Sequence, residues 1–377
     1  EQVVQEPLIG CLVERDAHGS IAEITQVDAP SASGTENRFG IAVHLHAKRV
    51  EDERFIDLMP ELGQADAQGL GLRMDAFGDI GRNDSYRQRY GIITNLFEGA
   101  RSTDDTEFAV LTAQTLLDCQ GELTSEHLLA SWHKYIISEG GVAERGGKPL
   151  YGAVANLERG MLPPLSGMDN VQNNDDGAAM RIAPIGVMCA GNPQKAIELA
   201  LIESEISHAN DGIWAAQAVA ASVAVAMVNN SVEDIIQAGL DTIPDDSWLG
   251  RSMARAFDIC DSAGDIETAW EDLHTQFWTP VHSTAAEAIP QAYSIFKLTN
   301  GDFRKGMFWA GNFGRDADTI SAVVGALSGA IHGQSVIPDA WVEKVRQPAG
   351  VCLHFASRLD IVDLAKKVVA LNQYQSK

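Results

Sequence analysis

Residues 311–333 read GNFGRDADTISAVVGALSGAIHG, and this stretch indicates both a fold class and a chemistry. Its apolar residues recur at the spacing that places side chains on one face of an α-helix. They are Ile320, Val323, Val324, Leu327 and Ile331. Gly333 follows as a natural helix stop. Because Asp316 and Asp318 stand where this helix starts, the segment predicts a buried helix that begins in an acidic turn.

The same helical periodicity covers most of the chain after about residue 100. It predicts helices over 108–116, 126–137, 193–206, 211–228, 232–240, 247–263, 266–277 and 360–372. Glycine, proline and asparagine mark loops over 139–149, 162–177, 243–246 and 334–338. Residues 24–85 lack the pattern, and we expect an irregular insertion there with at most one short strand pair. We therefore predict an all-α fold, one domain over residues 1–377 with an irregular N-terminal section.

The composition excludes several classes of partner. The chain has 377 residues and a formal net charge of −24, from 28 basic and 52 acidic side chains. So acidic a protein repels phosphate backbones and anionic lipids, which disfavours nucleic-acid and membrane-surface binding. The longest uncharged apolar run, residues 213–228, is shorter than the roughly 18 to 20 residues that span a bilayer. Five scattered cysteines without a CxxC pair are typical of reduced thiols, so we predict a soluble, cytoplasmic protein.

Hard oxygen ligands are concentrated in two short runs, 102–107 (STDDTE) and 314–319 (GRDADT), each directly before an apolar helix. Carboxylates and threonine hydroxyls suit Mg²⁺, Mn²⁺ or Ca²⁺, and neither run contains a cysteine or histidine to suggest zinc. Helix capping is the simpler explanation for either run alone. Ser102 and Asp105 have the spacing of a capping box, and acids in a first helical turn complement the helix dipole.

Helix geometry favours a shared site over two separate caps. Residues i and i+2 of a helix point about 200° apart, so Asp316 and Asp318 cannot both cap one helix. Asp104 and Asp105 likewise carry more charge than one N-terminus needs. If the two helix starts face each other, four carboxylates converge, and such a cluster requires bound cations. Two divalent ions roughly 3.5 to 4 Å apart would satisfy it.

Several segments resemble, in the same order, the motifs of the ADP-ribosylglycohydrolase family. They are 89–94 with 102–107, similar to the TDDTE region; 177–186, GAAMRIAPIG; the pair Ser207-His208; 311–320, similar to the GGDTDT motif; and 337–341, IPDAW. The resemblance covers roughly residues 86 to 345, and the motifs are specific only when taken together. It implies an all-helical orthogonal bundle with two divalent cations, Mg²⁺ or Mn²⁺, at the base of a cleft.

The resemblance also implies roles for individual residues. The metal ligands would be Thr103, Asp104, Asp105, Asp316, Asp318 and Thr319. Asp105, Asp316 and Glu23 would be catalytic. Substrate would be bound by Asn174, Asp176, Gly177 and His208. Glu23 is included because residues 16–23, DAHGSIAE, are similar to the family's opening motif. A second similar segment at 77–81 lacks the glutamate.

The activity implied by the resemblance is hydrolysis of the glycosidic bond that links ADP-ribose to a modified arginine or serine side chain. The partners would then be ADP-ribosylated proteins or small molecules that contain ADP-ribose. Two departures from the family pattern leave alternatives open, because Asp176 replaces an asparagine and Arg315 replaces a glycine. One alternative is hydrolysis of another ribosyl or ADP-ribosyl compound. The other is a non-enzymatic relative of the fold, against which the four retained aspartates argue.

Overall fold

A computed structural model describes residues 102–143, 146–311, 313–337, 339, 342 and 345–372, together with the backbone of two short strands. The strands, β1 (Glu14–Arg15) and β2 (Ile21–Glu23), pair in antiparallel fashion. The insertion predicted over 24–85 lies outside the described residues, as does the second motif echo at 77–81.

Fourteen α-helices account for most of the described residues from Ser102 onward. They are α1 (Asp104–Asp118), α2 (Ser125–Tyr135), α3 (Lys148–Glu158), α4 (Leu165–Met168), α5 (Ala183–Met188), α6 (Pro193–Ser204), α7 (Asp211–Ala226), α8 (Val232–Leu240), α9 (Trp248–Ala263), α10 (Ile266–Thr275), α11 (Ala285–Leu298), α12 (Phe303–Gly311), α13 (Ala317–His332) and α14 (Ile361–Ala370). Short 3₁₀ turns connect some of them. The predicted all-α class is confirmed.

The sequence pattern does not reveal α3, α4, α5, α11 and α12, and two of these helices show why. In α11 every residue from Ala285 to Phe296 is buried, so the helix has no polar face to give an amphipathic period. It also contains Pro290, a residue that normally argues against a helix interior. The helix α4 lies inside the segment 162–177 that was predicted as a loop, and its single turn is too short for periodicity to reveal.

The alanine-rich helix α7 lies at the centre of the bundle and packs against α5, α6 and α8. Small side chains let these helices approach closely. A Cβ atom added to Gly186 of α5 would lie 2.7 Å from the Ala220 carbonyl oxygen of α7, so only glycine fits there.

Among the residues that the structure describes, no helix combines the length and apolar character that crossing a bilayer demands.

Two helices far apart in sequence, α1 and α13, touch each other near their N-terminal ends. The 3₁₀ turn Ala179–Arg181 lies against both of them and leads directly into α5. The packing around these helices is apolar: Phe108, Leu111 and Ile320 are buried in one core. The fold therefore brings the starts of α1 and α13 to one place.

Candidate metal centre

Asp105 joins the two helix starts. One of its carboxylate oxygens accepts a hydrogen bond from Thr103 Oγ1 at 3.0 Å. The other accepts from Thr319 Oγ1, also at 3.0 Å, across 214 positions of sequence. Ligand atoms of Asp104, Asp105 and Asp318 all lie within 4.8 Å of one another. The two acidic runs thus form one cluster.

Capping does not explain the acidic runs. Thr103 and Asp316 occupy the N-cap positions of α1 and α13, and neither side chain accepts a hydrogen bond from its helix. Ser102 does not form the expected capping box with Asp105 either, because its hydroxyl donates to Glu107. The carboxylates at these two helix starts therefore have a role other than helix capping.

The protonation of the cluster reflects burial and mutual repulsion. Burial, with the charge of Asp318, raises the pKa of Asp104 to about 7. Burial and Asp318 also raise the pKa of Asp105 and of Asp316 well above the ordinary aspartate value. For Asp176 burial and the neighbouring Asp316 have the same effect on the pKa. Buried carboxylates that repel each other in this way are stabilised by a cation placed among them.

The residues present fit divalent cations. The donors are carboxylate and hydroxyl oxygens, which Mg²⁺ and Mn²⁺ prefer. In addition, Asp176 Oδ2 is buried and accepts no hydrogen bond from any described residue. Because leaving a buried charged oxygen unpaired is costly, this atom favours a cationic occupant of the cleft.

Glu107, the last residue of the first run, faces away from the cluster. Its fully buried carboxylate accepts hydrogen bonds from the backbone N–H groups of residues 351–353 at 2.9, 2.8 and 2.7 Å. Ser102 Oγ accepts another from the N–H of Ala349, at 2.7 Å. This glutamate anchors the segment before α14 to the start of α1, a role that the sequence pattern did not reveal.

A chain of buried polar groups stands behind the loop 172–177. Arg181 is paired with Glu203 at 2.7 Å and donates to Ser207 Oγ at 2.9 Å. Ser207 Oγ is 2.7 Å from His208 Nδ1, and His208 Nε2 is 2.6 Å from Asp175 Oδ1. Since arginine only donates, the Ser207 hydrogen is directed to Nδ1, and Nε2–H donates to Asp175. The network fixes the histidine tautomer and the position of Asp175.

Of the four predicted substrate-binding residues, two line the cleft and two do not. Asp176 and Gly177 line the cleft. The backbone carbonyl of Asn174 accepts from Ala285 N at 3.2 Å, which ties the loop to α11. His208 is fully buried behind the loop, where both ring nitrogens are engaged by neighbours. The structure therefore puts Asp175, not named as a site residue from sequence, between His208 and the cleft.

The opposite wall of the cleft is held by Arg315, the residue that replaces a glycine of the family pattern. Its side chain is buried and forms a two-point ion pair with Glu287 of α11. The same guanidinium donates to the Thr279 carbonyl and lies 5.3 Å from the ring centroid of Trp278. Thr279 N in turn donates to Glu287 at 2.8 Å. Arg315 thus clamps the segment 278–284.

The cleft between these walls has a volume of about 360 Å³. Its floor is the acidic cluster. Its rim adds the loop 172–177, which leads into the predicted motif 177–186. It also adds two segments without a recognisable sequence motif: 146–148, where Gly147 N donates to Asp104 at 3.1 Å, and 280–283 with His282. His282 Nε2 lies 3.9 Å from Asp316 Oδ2. The side chain of Glu23, predicted from the motif echo, lies outside the described residues, and only its backbone in β2 is described.

This fold and site define an all-helical protein whose two distant helix starts place carboxylates and hydroxyls at the base of one cleft. The ADP-ribosylglycohydrolase family model matches residues 62–377, and the chain belongs to this family of hydrolases. The family is generally dependent on divalent metal ions, in agreement with the acidic cluster. The resemblance noted from the motifs is confirmed.

The similar proteins include two without an assigned function. A protein of Archaeoglobus fulgidus, described as uncharacterized, is 28% identical over 305 residues, 78% of this chain and 92% of that protein. The uncharacterized protein YegU of Escherichia coli is 23% identical over 308 residues, 74% of this chain and 89% of that protein. The ADP-ribosylarginine hydrolase Tri1 of Pseudomonas putida is 24% identical over 256 residues, 64% of this chain and 62% of that protein.

A solved structure described as an ADP-ribosylglycohydrolase-related protein complex has the same fold. Its TM-score to this chain is 0.52, with 21% sequence identity, and the match covers 90% of this chain and 99% of that one. The likeness agrees with the helical architecture described above.

Proposed function

We propose that this protein hydrolyses the glycosidic bond between ADP-ribose and a modified protein side chain of the arginine or serine class, releasing ADP-ribose. The observation that carries the proposal is the 3.0 Å hydrogen bond between Thr319 and Asp105, because it joins the two acidic helix starts into one cation-binding cluster. Family membership supports the reaction class. Similarity to an ADP-ribosylarginine hydrolase, Tri1, supports the arginine linkage.

The proposed ligands of two divalent cations, Mg²⁺ or Mn²⁺, come from both helix starts: Thr103, Asp104, Asp105, Asp316, Asp318 and Thr319. When bound, such cations supply Lewis-acid binding of ribose hydroxyls and activation of water at neutral pH. They also offset the repulsion between a diphosphate and a protein with a formal charge of −24.

The proposed catalytic residues are Asp105, Asp316 and Glu23. Asp105 is held in one orientation by hydrogen bonds to both of its oxygens, which suits a group that must accept a proton at a fixed position. Asp316 lies at the base of the cleft, where its buried carboxylate can orient the reacting centre. Glu23 would contribute a further acid or a gate.

The loop 172–177 is proposed to bind the ADP-ribosyl group. Asp176 and Gly177 face the cleft, and Asn174 fixes the loop against α11. Asp175 closes the loop by accepting from Gly177 N at 2.9 Å as well as from His208. His208 is thereby proposed to act on substrate binding by positioning Asp175.

The test is to incubate the purified protein with Mg²⁺ or Mn²⁺ and peptides that carry ADP-ribose on arginine or on serine. Release of ADP-ribose, abolished by EDTA or by Asp316→Ala and retained by the exposed control Asp245→Asn, would support the proposal. Inactivity on both linkages with metal still bound would redirect the assignment to another ribosyl compound. Calorimetry that detects no divalent binding would exclude both enzymatic functions.

A further inference from the structure

His282 is held over the acidic cluster by contacts that leave its segment little freedom. The clamp formed by Arg315 and Glu287 fixes Thr279 on one side of it. On the other side, the Ser283 carbonyl accepts a hydrogen bond from Asp176 N at 2.8 Å. The segment is therefore attached to both walls of the cleft. The imidazole between these anchors is 26% exposed and lines the cleft.

The distance between the imidazole and Asp316 is compatible with two ligands of one ion. His282 Nε2 is 3.9 Å from Asp316 Oδ2, too far for a hydrogen bond between them. Two donor atoms that each lie about 2.1 Å from the same ion are separated by roughly 3 to 4.2 Å. The observed separation falls in this interval.

A second and independent observation points to the same corner of the cleft. Asp176 is 2% exposed, and its Oδ2 accepts no hydrogen bond from any described residue. Among neighbouring charges, Asp316 acts on it most strongly. A buried carboxylate oxygen that lacks a hydrogen-bond donor and is close enough to another carboxylate to be influenced by its charge is stabilised by a cation.

We propose that His282 is a nitrogen ligand of one of the two cations, on the Asp316 and Asp176 side of the cleft. This inference rests on the proposed function, which supplies the cations, but it assigns a ligand outside both acidic runs. Asp104, Asp105 and Asp318 would then hold the other cation with oxygen atoms alone. Since imidazole suits first-row transition ions better than Mg²⁺, His282 would make its position favour a transition ion over Mg²⁺.

The experiment uses Mn²⁺ alone as the probe, on the full chain stripped of metal with EDTA. Electron spin echo envelope modulation of bound Mn²⁺ reports nitrogen-14 in direct coordination, and calorimetry gives the dissociation constants for Mn²⁺ and Mg²⁺. The variant is His282→Gln, and the control is His133→Gln at an exposed helix position. Circular dichroism melting verifies that both variants fold, and His282→Asn provides a second variant that also lacks the imidazole.

We expect nitrogen modulation in the wild type and in His133→Gln, and its loss in both His282 variants. Loss of an outer-shell partner alone costs roughly 10- to 100-fold in metal affinity. Loss of a direct ligand should therefore weaken Mn²⁺ binding at one site at least tenfold, with a smaller effect on Mg²⁺. Bound Mn²⁺ without nitrogen modulation in the wild type, or modulation that persists in His282→Gln, would overturn the inference while leaving the proposed function intact. A wild-type protein that binds no Mn²⁺ or Mg²⁺ would overturn both.

Discussion

Six helix starts in the described part of the protein are capped by a side chain, and comparing them with the two acidic starts shows what distinguishes the site. At α2, α6, α8, α9, α10 and α14 the residue before the helix accepts a hydrogen bond from a backbone N–H of the first turn. At α1 and α13 the corresponding Thr103 and Asp316 make no such bond. These two starts use polar residues of the same types, yet Thr319 of one donates a hydrogen bond to Asp105 of the other.

The pKa values of the carboxylates at the capped and at the acidic helix starts are shifted in opposite directions. At α10, hydrogen bonds from the Thr268 backbone and hydroxyl lower the pKa of the capping Asp265. At α1, burial and the charge of Asp318 raise the pKa of Asp104 to about 7. A carboxylate that accepts hydrogen bonds from its own helix is a structural cap. A carboxylate that is buried among like charges is instead a candidate cation ligand.

The largest expected effect comes from removing a charge at an uncapped start. Asp105→Asn should lower kcat/KM for ADP-ribose release by at least about 10³-fold, because several kcal/mol of metal-assisted stabilisation are lost. The same change relieves repulsion among buried carboxylates, so the metal-free variant should melt at or above the wild-type temperature. Kinetics and differential scanning calorimetry measure the two effects.

Retained activity in Asp105→Asn would show that the cluster is not the reaction site. A variant that melts well below the metal-free wild type would show that Asp105 is a structural residue, like the caps.

The start of α13 is anchored by Arg315 in place of a cap, so breaking its ion pair should be costly. Glu287→Gln leaves the buried guanidinium without its counter-charge, and we expect a loss of about 3 to 5 kcal/mol in the free energy of unfolding. The matched control is Glu139→Gln, whose ion pair with Arg358 is largely exposed and should contribute below about 1 kcal/mol. Urea unfolding compares the two variants. Equal losses in the free energy of unfolding would contradict a stabilising role for the buried ion pair between Arg315 and Glu287.

The all-α class and both acidic runs could be predicted from the sequence, because amphipathic stripes and clustered oxygen ligands are local signals. Their convergence was indicated only by helix geometry and the family resemblance, since a hydrogen bond across 214 positions of sequence leaves no local trace. Asp175 and His282 escaped notice for a related reason. Asp175 stands between the predicted residues Asn174 and Asp176, and His282 lies in a segment without a motif. The relation of each to the site depends on partners from other elements, His208 and Asp316. Helix α11 was missed because complete burial removes the polar face that periodicity needs.

The pH dependence of stability should distinguish the metal-free from the metal-bound protein. The pKa of Asp104 is raised in the fold, from 3.8 to about 7, so between these values the native state binds more protons than the unfolded chain. This group therefore makes the metal-free protein less stable as pH rises from 5 to 7, by up to about 1.4 kcal/mol per pH unit.

Bound cations should reverse this trend, because protons compete with them for the same carboxylates. The difference in melting temperature between Mn²⁺-loaded and EDTA-treated protein should therefore shrink as pH falls from 7.5 to 5.5. In Asp104→Asn the metal-free melting temperature should depend less on pH over this range. A metal-induced shift that is unchanged between these pH values would contradict a site made of these carboxylates.

The smallest expected effect is at a true cap. Asp265 accepts hydrogen bonds from Thr268 N at 3.0 Å and from Thr268 Oγ1 at 2.7 Å, at an exposed helix start far from the acidic runs in sequence. Asp265→Ala should lower the free energy of unfolding by about 0.5 to 2 kcal/mol and leave kcat/KM and metal affinity unchanged. Asp265→Asn should recover most of the stability, since asparagine also caps helices, whereas Asp105→Asn should recover no activity. Because aspartate is changed to asparagine in both cases, the opposite outcomes would arise from position alone: a cap needs only a hydrogen-bond acceptor, but a cation site needs the charge. Equal behaviour of the two asparagine variants, in stability and in activity, would remove the distinction between the two kinds of helix start.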